Sequence, residues 1–138
     1  MNIYNERINH MFSLISTMFI WLFGTWDIPL MILVTVMALD YITGITRGYV
    51  NKQLSSEYGF RGLAKKLTIF YVLILAVLID RLIGQGWVFR TLVCMWYASN
   101  EGMSILENAS AIGIPVPEQL VDALEQLKQG NKKYKEVE

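Results

Sequence analysis

The stretch from Asp40 to Lys66, DYITGITRGYVNKQLSSEYGFRGLAKK, decides how the chain is read. It sets Arg47, Lys52, Arg61, Lys65 and Lys66 against one acidic residue outside the flanking apolar runs, Glu57. Basic residues gathered in a short segment between two long apolar segments stay on the cytoplasmic side of a membrane. The stretch therefore reads as the cytoplasmic loop of a membrane protein, over residues 47–66.

Composition agrees. Of 138 residues 54% are hydrophobic, and the mean hydropathy is +0.36, above the apolar share of an ordinary soluble domain. Charged residues make up 17% with a formal net charge of zero, so no overall field points to nucleic acid or to an acidic substrate. Cys94 is the single cysteine and lies in an apolar run, which excludes an intrachain disulfide and a cysteine-based zinc site and makes it a packing residue. His10 is the single histidine, and no metal-ligand spacing can be assembled around it. Nucleophile, base and oxyanion donors cannot be named as a set. The expectation is a protein that is not an enzyme and carries no cofactor or metal.

Outward from the basic stretch, four apolar runs follow helical lengths: residues 11–26, 28–46, 67–83 and 87–106. The first reaches about 24 Å at the α-helical rise, short of the roughly 30 Å hydrocarbon core but extensible through Ile8 to His10. A signal peptide is its rival reading; one net-basic side chain at best and no small-x-small site argue against it. A three-span arrangement with the amino end outside is the alternative topology. Asp27-Ile28-Pro29 should open the second helix, with the aspartate as cap and the proline in the first turn. Gly84-Gln85-Gly86 reads as a tight turn. Beyond Glu107 the GIPVP run of residues 113–117 breaks the chain, and residues 117–129 place Leu120, Val121, Leu124 and Leu127 opposite Glu118, Asp122 and Glu125. That is a short amphipathic helix, followed by a charged tail. The expected fold is all-α and integral to the membrane: about four transmembrane helices in residues 1–110, then a cytoplasmic amphipathic helix and tail in residues 111–138. Both termini are expected inside.

An ionised side chain at the bilayer centre costs roughly 2.5–3.5 kcal/mol on insertion scales, so intramembrane charges need partners. Counting from the outer turn places Asp80, Arg81 and Arg90 at similar depth, with an Asp80–Arg90 pair expected. That pair either fixes helix packing or contributes to a pore. Asp40 and Glu101 fall toward the inner side, where Tyr41, Asn100, Arg47, Lys65 and Lys66 can satisfy them, as a hydrated patch or as ordinary salt bridges. Gly44-x-x-x-Gly48 and Ala98-x-x-x-Gly102 have the small-residue spacing of close helix contacts, within the chain or between copies. Gly59-Phe60-Arg61-Gly62 before Lys65-Lys66 lacks the spacing of a phosphate loop and reads instead as a turn toward anionic lipid headgroups.

The ordered motifs carry a resemblance. Asp40-Tyr41-Ile42-Thr43-Gly44, then Leu54-Ser55-Ser56-Glu57 with Gly59, Gly62 and Lys65-Lys66, then Asp80 and Arg90, then Asn100-Glu101-Gly102 through Ser104-Ile105-Leu106-Glu107-Asn108, and the GIPVP ending resemble the phage-lysis and toxin-secretion holin family. The likeness covers roughly Pro29 to Lys128. It implies a protein that accumulates in the bacterial cytoplasmic membrane, forms homo-oligomers and opens lesions at a set time. An endolysin, or a toxin, then crosses without required direct contact, and the host cell lyses. It also selects Asp40, Glu101 and Glu107 as an inner polar cluster and Asp80 with Arg90 as an outer pair. The partners implied are the lipid bilayer and other copies of the chain, with no nucleic acid. Two other classes remain: a small ion-selective channel or transporter subunit lined by Asp40 and Glu101, and a membrane adaptor whose amphipathic helix recruits a cytoplasmic partner.

Overall fold

The computed structural model describes residues 3–84 and 86–129, and every regular element within them is helical. The helices are α1 (Ile3–Phe23), α2 (Ile28–Val50), α3 (Ser56–Ile83), α4 (Val88–Ala111) and α5 (Glu118–Gln129). The expected charged tail beyond Gln129, and Gln85 in the outer turn, lie outside the described residues.

Capping chemistry sets the boundaries. Asp27 sits in extended backbone before α2, its carboxylate accepts from the Leu30 N–H at 3.3 Å, and Pro29 occupies the first turn, where its missing donor is not needed. Ser55 caps α3 in the same way, its hydroxyl accepting from the Tyr58 N–H at 3.1 Å. Glu57 follows in the first turn and pairs with Arg61 one turn later at 2.8 Å, an arrangement that suits both the helix dipole and the side-chain spacing. These signals correct the expected loop. Only residues 51–55 separate α2 from α3; Arg47 belongs to the last turn of α2, and Arg61, Lys65 and Lys66 are helical. Lys52 alone of the basic residues is in the turn, with φ at +55°.

The α4 amino end is unusual. Trp87 precedes it without a capping side chain, and the cap comes from another helix: the Asp80 carboxylate of α3 accepts from the N–H groups of Phe89 at 3.0 Å and Arg90 at 2.8 Å. At the other end Gly113 takes φ +86° and the Ile114 N–H returns to the Ala109 carbonyl at 3.0 Å, closing the helix before Pro115 and Pro117. The chain then reverses, and α5 runs back along α4. Leu124 seats against Gly102, where an added Cβ would stand 3.0 Å from its methyl carbon.

Buried apolar residues recur on one face of each central helix: Leu30, Leu33 and Met37 on α2, Ile69 and Leu73 on α3, and Cys94 on α4. Phe23, Val34, Phe70, Val93, Tyr97 and Ala98 pack around them. α1 buries none of its residues and meets α3 at one edge, where Phe23 and Phe70 stack edge to face at 5.6 Å. Met11, Phe12, Leu14, Ile15 and Met18 are all exposed, an apolar surface suited to lipid. Helices α2 and α3 are long and apolar enough to cross a membrane. Glu6, Arg7 and His10 dilute α1, and Arg90, Asn100, Glu101 and Glu107 dilute α4, so neither meets the same composition.

Candidate functional site

The same three faces that bury the core also carry charge, and they do so at both ends of it. At the inner end Lys66 continues the Ile69–Leu73 stripe of α3, and its exposure is 7%. Its ammonium donates to Asp40 Oδ2 at 2.6 Å and to Glu101 Oε2, so one cation on α3 ties α2 to α4. Glu101 is wholly buried, and its other oxygen lies 3.1 Å from the exposed Lys65 ammonium. That ion pair is not a well-directed hydrogen bond, and Oε1 has no other partner among the described residues. Asn108 completes the cluster: its amide donates to Asp40 Oδ1 at 3.3 Å and to Thr43 Oγ1 at 3.1 Å, and its oxygen accepts from Arg47 at 3.4 Å. The two carboxylates are matched by the two ammonium groups, and the Arg47 guanidinium at the edge adds one further positive charge.

Charge buried this way is stable only while every partner is present. Removing one member of a buried pair typically costs 3–5 kcal/mol, because a charge is left without compensation. The complete network, by contrast, contributes little net stability over an apolar replacement of the same shape. It therefore specifies which helices meet and in what register more than how tightly they hold.

The outer end is built on Arg90, which has no exposed surface. Its guanidinium donates to the Phe23 carbonyl at 2.6 Å, to the Thr25 carbonyl at 2.7 Å, and to both oxygens of Asp27 at 2.8 and 2.9 Å. One side chain of α4 thus satisfies the orphan carbonyls at the end of α1 and holds the cap of α2. The Arg90 hydrogen bonds keep the Asp27 carboxyl below its usual range. Gly24 makes the approach possible: its φ is +78°, and a Cβ there would stand 2.9 Å from Arg90 Nε. Arg81 adds a second tether, donating to the Trp21 carbonyl at 3.0 Å between the Trp21 and Trp87 rings.

The expected Asp80–Arg90 ion pair is replaced by this arrangement. Asp80 meets the Arg90 backbone N–H, and the guanidinium turns to Asp27, because the carboxylate is already committed to the uncapped end of α4. Within the expected inner group, Asp40 and Glu101 share a cation. Tyr41 lines the cleft beside them. Asn100 and Glu107 line a groove against Glu125 and Lys128 of α5, and Glu107 is exposed, since it falls on a different side of α4 from Glu101 and Asn108. Gly44 faces Asn108 and Tyr58, Gly48 is buried against Leu54, and Gly102 receives Leu124; Ala98 packs on the core. Sequence reasoning placed Lys66 in the loop while naming it among the groups able to satisfy Asp40 and Glu101, read Asp27 only as the cap of α2, and gave Asn108 no place in the inner cluster. Their signal was register, since Asp40 lies three residues from Met37 and Lys66 three from Ile69, on the buried stripes.

What these features define is a small helical protein of membrane-spanning composition whose ion pairs lie between helices. The sequence profile of the bacteriophage holin family matches residues 17–129, and the chain belongs to that family. Similar proteins include an uncharacterized 14.9 kDa protein from the nagH 3' region of Clostridium perfringens, 51% identical over 120 residues, covering 86% of this chain and 89% of that one. An uncharacterized protein of Listeria monocytogenes is 40% identical over 106 residues, covering 76% and 75%. Another, of Bacillus subtilis, is 34% identical over 106 residues, covering 77% and 79%. No solved structure matches the chain.

Proposed function

We propose that the protein is a holin: it accumulates in the bacterial cytoplasmic membrane, self-associates, and opens lesions through which an endolysin or a toxin crosses. In this reading α1 to α4 lie in the bilayer, with the basic turn and the amino end on the cytoplasmic side. The observation that carries it is the Asp40–Lys66–Glu101 network, buried between three helices whose outward surfaces are apolar. A network paired between helices, with Lys65 at its edge supplying the second cation, is compatible with insertion. The same groups, once the helices part, are ready to face water, and their hydration offsets the loss of their ion pairs. Nothing in the arrangement requires catalysis by the chain itself; the work is mechanical and electrostatic.

Induced expression in a bacterium, with and without a cytoplasmic muralytic enzyme, tests the reading through turbidity and release of a folded cytosolic reporter. Abrupt lysis after a delay, only with the enzyme present, is the expected result. Depolarisation with the reporter retained would replace the holin by a small ion channel.

A further inference from the structure

A cleft of about 290 Å³ opens beside the inner charge cluster, between the end of α2 and the first turns of α3, with Ser104 and Asn108 of α4 at its back. Glycines make the room: Gly44 on α2, and Gly59 and Gly62 on α3. Tyrosines answer them across the gap. A Cβ at Gly62 would meet the Tyr41 ring at 3.5 Å, and one at Gly44 would lie 3.9 Å from the Tyr58 hydroxyl. The space is thus walled by aromatic rings and bare backbone, with polar and charged side chains completing its lining.

The charges around the cleft are unequal. Asp40 in its lining is already engaged, one oxygen by Lys66 and the other by Asn108, so its charge is offset before any ligand arrives. Donors are in surplus. Arg47 uses one N–H, on Asn108 at 3.4 Å, and Arg61 uses one, on Glu57 outside the cleft. Neither the Tyr41 nor the Tyr58 hydroxyl makes a hydrogen bond among the described residues. Counting Arg47, Arg61, Lys65 and Lys66 against Asp40, Glu57 and Glu101 leaves one positive charge. A guanidinium fork and a phenol at the edge of a small cavity suit a phosphate oxyanion. Gly44 lies six residues before the end of α2, about 9 Å along the helix, the depth at which headgroup meets acyl chain. Exposed Ile42, Tyr49, Phe60 and Leu63 extend the same helix turns outward as apolar surface, which a free phosphate would not use and a lipid would.

From this juxtaposition we propose that the cleft is a binding site for the phosphodiester headgroup of an anionic phospholipid, held by Arg47, Arg61 and the hydroxyls of Tyr41 and Tyr58. The proposal rests on the membrane placement given above. A lipid seated there bridges α2 and α3 beside Lys66, so the membrane's anionic lipid content acts directly on the helices that carry the charge cluster.

The test uses the full chain in a neutral detergent, titrated with short-chain phosphatidylglycerol, with phosphatidylcholine of the same chain length, and with inorganic phosphate. Saturable binding of phosphatidylglycerol about fivefold tighter than phosphatidylcholine is expected, the factor that one cation near a membrane surface contributes. Arg47→Gln should abolish the preference. So should the double variant Gly59→Ala/Gly62→Ala, which narrows the cleft while favouring the helix; unchanged helical circular dichroism then shows that folding is not the cause. Equal affinity for the two lipids, or a preference untouched by either variant, overturns the site. Inorganic phosphate competing as well as phosphatidylglycerol overturns the lipid as its occupant. The lysis assay separates the two ideas, since a chain that prefers phosphatidylglycerol yet fails to release the reporter loses the holin function and keeps the site.

Discussion

The guanidinium of Arg90 meets the carboxylate of Asp27 through two parallel hydrogen bonds of 2.8 and 2.9 Å across 63 residues of chain. The two partners are not equally placed. The Arg90 side chain is fully buried, whereas the Asp27 side chain keeps 35% of its surface exposed. Removing the aspartate strands a charge in the interior; removing the arginine leaves a carboxylate that water can reach.

Asp27→Asn is therefore expected to be the costlier change, about 3–5 kcal/mol, against about 1–3 kcal/mol for Arg90→Met, whose main loss is the two capped carbonyls. Denaturant titration of the two variants in the same micelle measures the difference. Equal losses would mean that Arg90 is hydrated in a way its burial does not suggest.

Acidity acts through the same pair. The Asp27 carboxyl is held below its ordinary value chiefly by the Arg90 hydrogen bonds, so its contribution is complete above the unfolded carboxylate value of about 4. It is lost as pH falls through the lower folded value. The stability gap between wild type and Asp27→Asn should stay constant from neutrality to about pH 5 and close in stronger acid. A gap that instead opens on acidification would contradict the pairing.

At the inner end, Lys66→Met leaves Asp40 and Glu101 facing each other without their shared cation. About 3–5 kcal/mol of destabilisation is expected, recovered in large part by the triple variant Asp40→Asn/Lys66→Met/Glu101→Gln. In the lysis assay, Asp40→Asn or Arg90→Met should shift the onset while leaving the protein in the membrane fraction. Onset times unchanged in both would remove these residues from the proposed mechanism.

Gly102→Leu should displace α5 alone. The space for any side chain there is already filled by Leu124, and the substituted face is turned toward α5. Limited proteolysis is expected to cut residues 118–129 faster in this variant than in wild type, with the rest of the chain resisting equally in both.

Much of the fold can be read from particular residues. Asp27 and Pro29 announce α2, Gly84 and Gly113 end α3 and α4, and the Leu120–Leu127 stripe gives α5. The site was harder because a lysine looks the same in a loop and at the end of a buried stripe. Lys65 and Lys66 are adjacent and alike, yet they point a hundred degrees apart on a helix, and only one has a carboxylate on either side. Whether Asp80 would meet the backbone or the guanidinium of Arg90 was likewise invisible. That choice depends on Trp87 failing to cap its own helix, a matter of where two chain ends meet. The sequence reading chose Glu107 and not Asn108 for the inner cluster, although Glu101 and Asn108 lie seven residues apart and share a face with Arg90 and Cys94.

The two clusters bracket a short interior. On α3, Lys66 and Asp80 stand about 21 Å apart along the axis, and three apolar levels, at Ile69, Leu73 and Ala76–Val77, lie between them. The outside of the same helix is uncharged only between the exposed Lys65 and Arg81, about 24 Å, short of the roughly 30 Å of a bilayer's hydrocarbon. Inside and outside, the uncharged length of this helix is thus about two-thirds to four-fifths of the hydrocarbon thickness. Water entering between the helices at either cluster meets three layers of buried side chains before it reaches the other.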